Sequence, residues 1–153
     1  MANLLKNSGF ENGLTNWTYT NVTPFDTIQF AGTAAAQMGP GVANIFQDVP
    51  FDSMHAQTKV FLFSFALAGL SFGPGDVRAR VLWLDADGNS LGTGTEIYVP
   101  SATMDAQFLW LTPLDVTAPA PAGVATVRVA FSKASGPVDG IALLDLVVLA
   151  PLP

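Results

Sequence analysis

The chain has 153 residues, half of them hydrophobic, and no cysteine; this suffices for one buried core and leaves no disulfide, thiolate or cysteine-metal chemistry. Its net charge is −6, and its six basic residues, spread from Lys6 to Lys133, form no basic run, which excludes the positive footprint that nucleic acid needs. Only 12% of the residues are charged, about half the usual share, so aliphatic, small and neutral polar residues must cover much of the surface, and such a surface tends to meet a partner or another copy of itself.

Residues 1–13 carry no apolar run of the kind that forms a secretion signal. Strand signals of modest strength follow at Trp17–Asn21, Thr27–Phe30 and Ala43–Val49, with Pro24 and Gly39-Pro40-Gly41 between them. In Lys59–Leu67, KVFLFSFAL, the two-residue period places Phe61, Phe63, Phe65 and Leu67 on one face. The apolar stretch Val60–Leu70 is broken by Ser64 and reaches only about half the ~20 residues a membrane span needs, so no membrane insertion is expected.

In Val77–Leu84, VRARVLWL, Val77, Ala79, Val81 and Trp83 share one face while Arg78, Arg80, Leu82 and Leu84 share the other. Asp87-Gly88-Asn89 suits a hairpin turn, and Glu96–Val99 and Phe108–Val116 are further strand candidates, with a short helix or 3-10 turn near Ser101–Gln107. Thr126–Ser132 points Val127, Val129 and Phe131 inward and Arg128 outward; Ile141–Leu149 is almost wholly apolar, as a strand covered on both faces should be. About eight to ten short strands punctuated by turns predict an all-β fold, a two-sheet antiparallel β-sandwich of jelly-roll topology forming one domain over residues 1–153.

The opening Asn3-Leu4-Leu5-Lys6-Asn7-Ser8-Gly9-Phe10-Glu11-Asn12-Gly13-Leu14, followed by Trp17, resembles the start of many carbohydrate-binding-module-like (galactose-binding-like) jelly rolls. Ile45-Phe46-Gln47-Asp48-Val49-Pro50 is similar to their middle motif and Ile141–Leu149 to their closing strand. Val81–Gly94, Val99-Pro100 and Thr117–Gly123 look like a narrower group, the N-terminal domains that precede collagen-like repeats in surface proteins of spore-forming bacteria, although no G-X-Y repeat occurs here. The resemblance implies one structural calcium held by acids at the positions of Glu11 and Asp145; Leu146 stands where the motif has its second acid. It also implies an extracellular location on a cell or spore surface.

Catalysis has little raw material. His55 is the only histidine, in Asp52-Ser53-Met54-His55, and the acids fall mostly in predicted turns, so no enzyme is expected. Asp85-Ala86-Asp87-Gly88-Asn89 with Glu96 has acids at calcium-loop spacing, but its glycine is displaced from the required sixth position, and a turn accounts for it. Aromatic candidates for stacking on a sugar are Trp17, Tyr19, Tyr98, Phe108 and Trp110, with core packing the ordinary fate of the tryptophans. Arg78, Arg80 and Arg128 are all the arginines of the chain, and alternation allows them one sheet face, where they would bind an acidic sugar, pair with a neighbouring subunit's acids, or stay solvated. The favoured expectation is a self-associating surface structural module, a homo-oligomer or filament. The alternative is a carbohydrate-binding module using Arg78, Arg80, Arg128, Tyr98 and Trp110 to hold a glycan on one sheet face.

Overall fold

The computed structural model describes residues 2–51, 60–70, 72–105, 108–136, 138 and 140–153. His55 and the acids Asp52 and Asp139 lie outside the described residues. Among the described residues ten strands form: β1 (Thr18–Thr20), β2 (Val22–Phe25), β3 (Ala35–Met38), β4 (Ala43–Pro50), β5 (Phe61–Gly69), β6 (Val77–Leu84), β7 (Ser90–Val99), β8 (Leu114–Val116), β9 (Thr126–Lys133) and β10 (Ala142–Pro151). A 3-10 turn at Ser101–Met104 follows β7.

The strands build two five-stranded antiparallel sheets, β1-β4-β9-β6-β7 and β2-β3-β10-β5-β8, packed as the expected sandwich. Their inner faces come from the alternating residues. Val77, Ala79, Val81 and Trp83 of β6 and Val127, Val129 and Phe131 of β9 meet Phe61, Phe63, Phe65 and Leu67 of β5. The Phe131 ring lies 6.0 Å from Phe63 and 5.1 Å from Phe65, and Phe61 lies 5.9 Å from Trp83, so aromatic packing welds the two sheets. Lys133 extends the inward row of β9; its Nζ donates to the Gly41 and Ala134 carbonyls at 2.6 and 3.2 Å, and burial pushes its pKa down.

Two expectations need correction. Thr27–Phe30 is not a strand; the chain there forms a loop whose backbone donors serve Asp145. Strands arise instead at Val22–Phe25, where Pro24 is tolerated because β2 is an edge strand, and at Ala35–Met38. Within Phe108–Val116 only Leu114–Val116 is a strand, preceded by a single bridge between Leu111 and Leu67.

Segment 3–8 runs beside the far half of β10: Leu4 N–H donates to Leu149 O at 2.8 Å, Val147 N–H to Ser8 O at 2.9 Å, and the Asn3 amide both donates to Val147 O and accepts from Leu149 N–H. Asn7 holds the following turn, with its Nδ2 donating to the Gly13 and Thr15 carbonyls at 3.0 and 2.9 Å. Phe10 and Trp17 are buried there with ring centres 5.3 Å apart.

Candidate functional site

Strand register brings the outward side chains of the first sheet into rows. Tyr98, Arg78, Ser132, Asn44 and Thr20 form one row across β7, β6, β9, β4 and β1. Glu96, Arg80, Ala130, Phe46 and Thr18 form the next, and Leu82, Arg128 and Asp48 a third. The three arginines therefore share one face, together with Tyr98. Trp110 does not join them: its ring packs 5.7 Å from Phe30, beside Leu111, which bridges the second sheet. Trp17 and Trp83 are buried in the core, and exposed Tyr19 sits in register with inward-facing Ile45 at the sheet edge.

The three guanidinium groups have different surroundings. Arg128 grips Asp48 with two bonds, Nε to Oδ1 at 2.7 Å and Nη2 to Oδ2 at 2.9 Å, and lies 4.0 Å over the Phe46 ring. Arg78 donates to Glu96 at 2.6 Å and lies 4.6 Å over Tyr98. The Tyr98 hydroxyl donates to Asp76 at 2.5 Å; that bond, with one from Ser101 N–H, holds the Asp76 carboxyl below its usual range and raises the Tyr98 hydroxyl pKa. Arg80 has no acid partner among the described residues, and its Nε is buried without a hydrogen-bond partner. It lines a shallow depression of about 160 Å³ with Asn44, Phe46, Leu82, Arg128 and Ser132.

This depression is small, mixed in polarity and open along the sheet. It offers amide and hydroxyl groups (Asn44, Ser132), an aromatic edge (Phe46) and an unsatisfied guanidinium, the group types that orient a polar ligand on an apolar floor. Phe46, Asn44 and Ser132 were absent from the sequence-derived candidates. Their signal was the alternation of Asn44, Phe46 and Asp48 in ANIFQDVP, whose inward partners Ala43, Ile45 and Val49 are buried.

The acids Glu11 and Asp145 meet at the opposite side of the sandwich. A bulge between Asp145 and Val148 shifts the register of β10: Ala142 and Leu144 face the core before it, Val147 and Leu149 after it. Asp145 thus points away from the core yet is fully buried, because the loop after β2 closes over it. Its Oδ2 accepts from Phe30 and Ala31 N–H, each at 2.9 Å, and its Oδ1 from Leu146 N–H at 2.7 Å. Burial raises its pKa, with the nearby Glu11 charge adding to the effect, against the pull of those three bonds. Glu11 accepts from the Thr33 hydroxyl at 2.6 Å and from the Thr33 and Ala34 N–H groups; its pKa is lowered, first by that hydroxyl bond.

Glu11 and Asp145 are the residues here that would hold a calcium ion, which would have to displace the hydrogen bonds their carboxylates now accept. Two carboxylates supply hard oxygens, the Asp145 carboxylate is raised by burial and by a like charge, and Gln29, next to Phe30, has a buried amide oxygen with no hydrogen-bond partner. No group of three or more His, Asp or Glu gathers anywhere among the described residues, so further ligands would have to be amide, carbonyl or water oxygens. At the other acidic segment, Asp85 Oδ1 accepts from the Asp87 and Asn89 N–H groups at 2.9 and 2.8 Å while Glu96 is engaged by Arg78. That segment is a turn, as its sequence implied.

Comparison with known proteins places the fold. No protein family matches the sequence, and no curated protein does. Among solved structures, the chain is similar to a family 16 carbohydrate-binding module, with TM-score 0.70 and 17% identity over 97% of this chain and 99% of that one. It is similar to the C-terminal family 22 carbohydrate-binding module of Clostridium thermocellum Xyn10B, with TM-score 0.64 and 12% identity over 94% and 90%. It also resembles part of the enzymatically active domain of bacteriophage CBA120 tailspike protein 4, with TM-score 0.73 and 16% identity; 98% of this chain aligns but spans only 21% of that domain. At these identities the likeness shows the β-sandwich fold that carbohydrate-binding modules share.

Proposed function

We propose that this chain is a non-catalytic carbohydrate-binding module that takes a glycan on the outer face of the first sheet. The observation that carries this is Arg80, whose buried Nε lacks a partner in a depression framed by Asn44, Phe46 and Ser132. The comparisons support this reading over the self-associating structural module, since the similar folds include a xylan-binding domain and modules of families 4, 16 and 22. Acid–base hydrolysis has little support, because Asp48 and Glu96 on this face are each held by an arginine. Such a module works outside the cell or at its surface; the spore-surface setting is supported by the sequence resemblance. Affinity electrophoresis through gels containing xylan, mannan, β-glucan or pectin tests the proposal: retardation by at least one polysaccharide, abolished in Arg80→Ala, is expected, and unretarded migration in all of them would refute it.

A structural calcium at Glu11 and Asp145 belongs to the same reading. It would neutralise the two carboxylates and pin the N-terminal turn and the loop after β2 to β10. Self-association is a second reading, favoured by the apolar surface on the second sheet's side, where Leu109, Leu114, Val116 and Leu146 are exposed around the Phe30–Trp110 pair. Light scattering at high concentration tests it: a mass above 16.0 kDa is expected, and a clean monomer would remove it.

A further inference from the structure

Register places Glu96 directly opposite Arg80, yet the Glu96 carboxylate goes to the neighbouring Arg78 at 2.6 Å. On its other flank Arg80 faces Ala130, whose methyl group is too short to reach it and leaves the depression open above the sheet. Arg128 is matched by Asp48, and Asp76 by the Tyr98 hydroxyl and Ser101 N–H. The acids of this face among the described residues are thus taken, and Arg80 is left without one, its Nε buried and unpartnered. An arginine keeps its charge at any physiological pH, so the guanidinium lining this depression offers charged donors to an anion or a strong acceptor.

Building on the glycan-binding reading, we infer that the ligand is an acidic glycan whose carboxylate docks on Arg80. The guanidinium edge matches a carboxylate in a two-point bond, and charge-assisted bonds of this kind are about twice as strong as those to neutral hydroxyls. Beside it, Asn44 and Ser132 offer hydrogen bonds to ring hydroxyls, and Phe46 offers an apolar edge whose ring Arg128 already covers on one side. The chain as a whole carries −6, which opposes a polyanion at long range. That repulsion is screened beyond about 8 Å at physiological salt, so contact chemistry at Arg80 decides the preference.

An oligosaccharide array read at about 0.15 M salt tests the inference. It should carry oligogalacturonates, oligoalginates and glucuronoxylo-oligosaccharides, their carboxyl-reduced forms, neutral xylo-, manno- and cello-oligosaccharides, and sulfated oligosaccharides. We expect a uronate ligand to bind at least about tenfold more tightly than its carboxyl-reduced form, which is about 1.4 kcal/mol. Arg80→Gln should erase the difference, and Arg80→Lys should restore only part of it, with both variants showing the wild-type circular-dichroism spectrum. Equal binding of neutral or reduced ligands would overturn the acidic assignment and keep the carbohydrate reading. Preference for sulfated sugars over uronates would overturn the carboxylate. An array without hits would remove both readings together. The comparison of acidic and reduced ligands uses the wild-type protein, so it decides the matter even if a variant misfolds.

Discussion

The two outer faces of this sandwich rest on one core but have opposite fates. On the second sheet, segment 3–8 pairs edge-on with β10 and the loop after β2 closes over the buried carboxylate of Asp145, which is hydrogen-bonded. On the first sheet nothing lies over β4, β9 and β6 among the described residues, and Arg80 keeps a buried donor without a partner. The contrast lies in charge: the carboxylates of the second side are held by hydrogen bonds, while Arg80 on the first has no acid partner among the described residues, although Gln29 on the second side also keeps an unpartnered amide oxygen.

The comparison breaks most completely if the shared core is removed. Phe131→Ala should cost about 3–5 kcal/mol and disable both faces, as measured by urea unfolding; a loss under about 1 kcal/mol would mean the aromatic contacts to Phe63 and Phe65 do not join the sheets. The sealed corner comes next. Calcium at about one hundred times its dissociation constant should add about 2.7 kcal/mol at pH 7 and little at pH 3, where protonated carboxylates bind it poorly, as followed by thermal unfolding with and without chelator.

The proton linkage there has two opposing parts. Asp145 has its pKa raised from 3.8, so in metal-free protein its contribution is present at low pH and lost as pH rises through its folded pKa. Glu11 has its pKa lowered from 4.5, so its contribution is present above that value and lost as pH falls through its folded pKa. Glu11→Gln should therefore flatten the acid side of the stability profile, and an unchanged profile would contradict the Thr33 bonds.

Gly32→Ala should cost about 1–2 kcal/mol for its backbone conformation alone, since its φ is +68° and an added Cβ would sit 2.2 Å from a Glu11 carboxylate oxygen. The smallest stability effect belongs to the open face: Arg80→Gln should change stability by less than about 0.5 kcal/mol while removing ligand binding. A large destabilisation would make Arg80 structural and blur the contrast.

Much of this was legible along the chain. In β6 and β9 apolar residues alternate with polar ones, and that period alone assigns Arg78, Arg80 and Arg128 to outer positions. Their adjacency was not legible, because it depends on β6 pairing with β9 across more than forty residues of sequence. Pro24 hid an edge strand, and the alanines of Ala35–Met38 gave too weak a pattern to read. Trp110 was a sound aromatic candidate by type, but its place beside Phe30 follows from tertiary packing. The shift of register that aims Asp145 away from the core has no marker in a run of apolar residues, where either face looks equally inward.

The most direct test is a backbone amide chemical-shift map recorded while an oligosaccharide found by gel retardation is added to the labelled protein. Shifts confined to Asn44, Phe46, Arg80, Ala130, Ser132 and their neighbours are the expected result. Shifts centred on Phe30, Trp110 and Leu146, with the arginine rows silent, would contradict it.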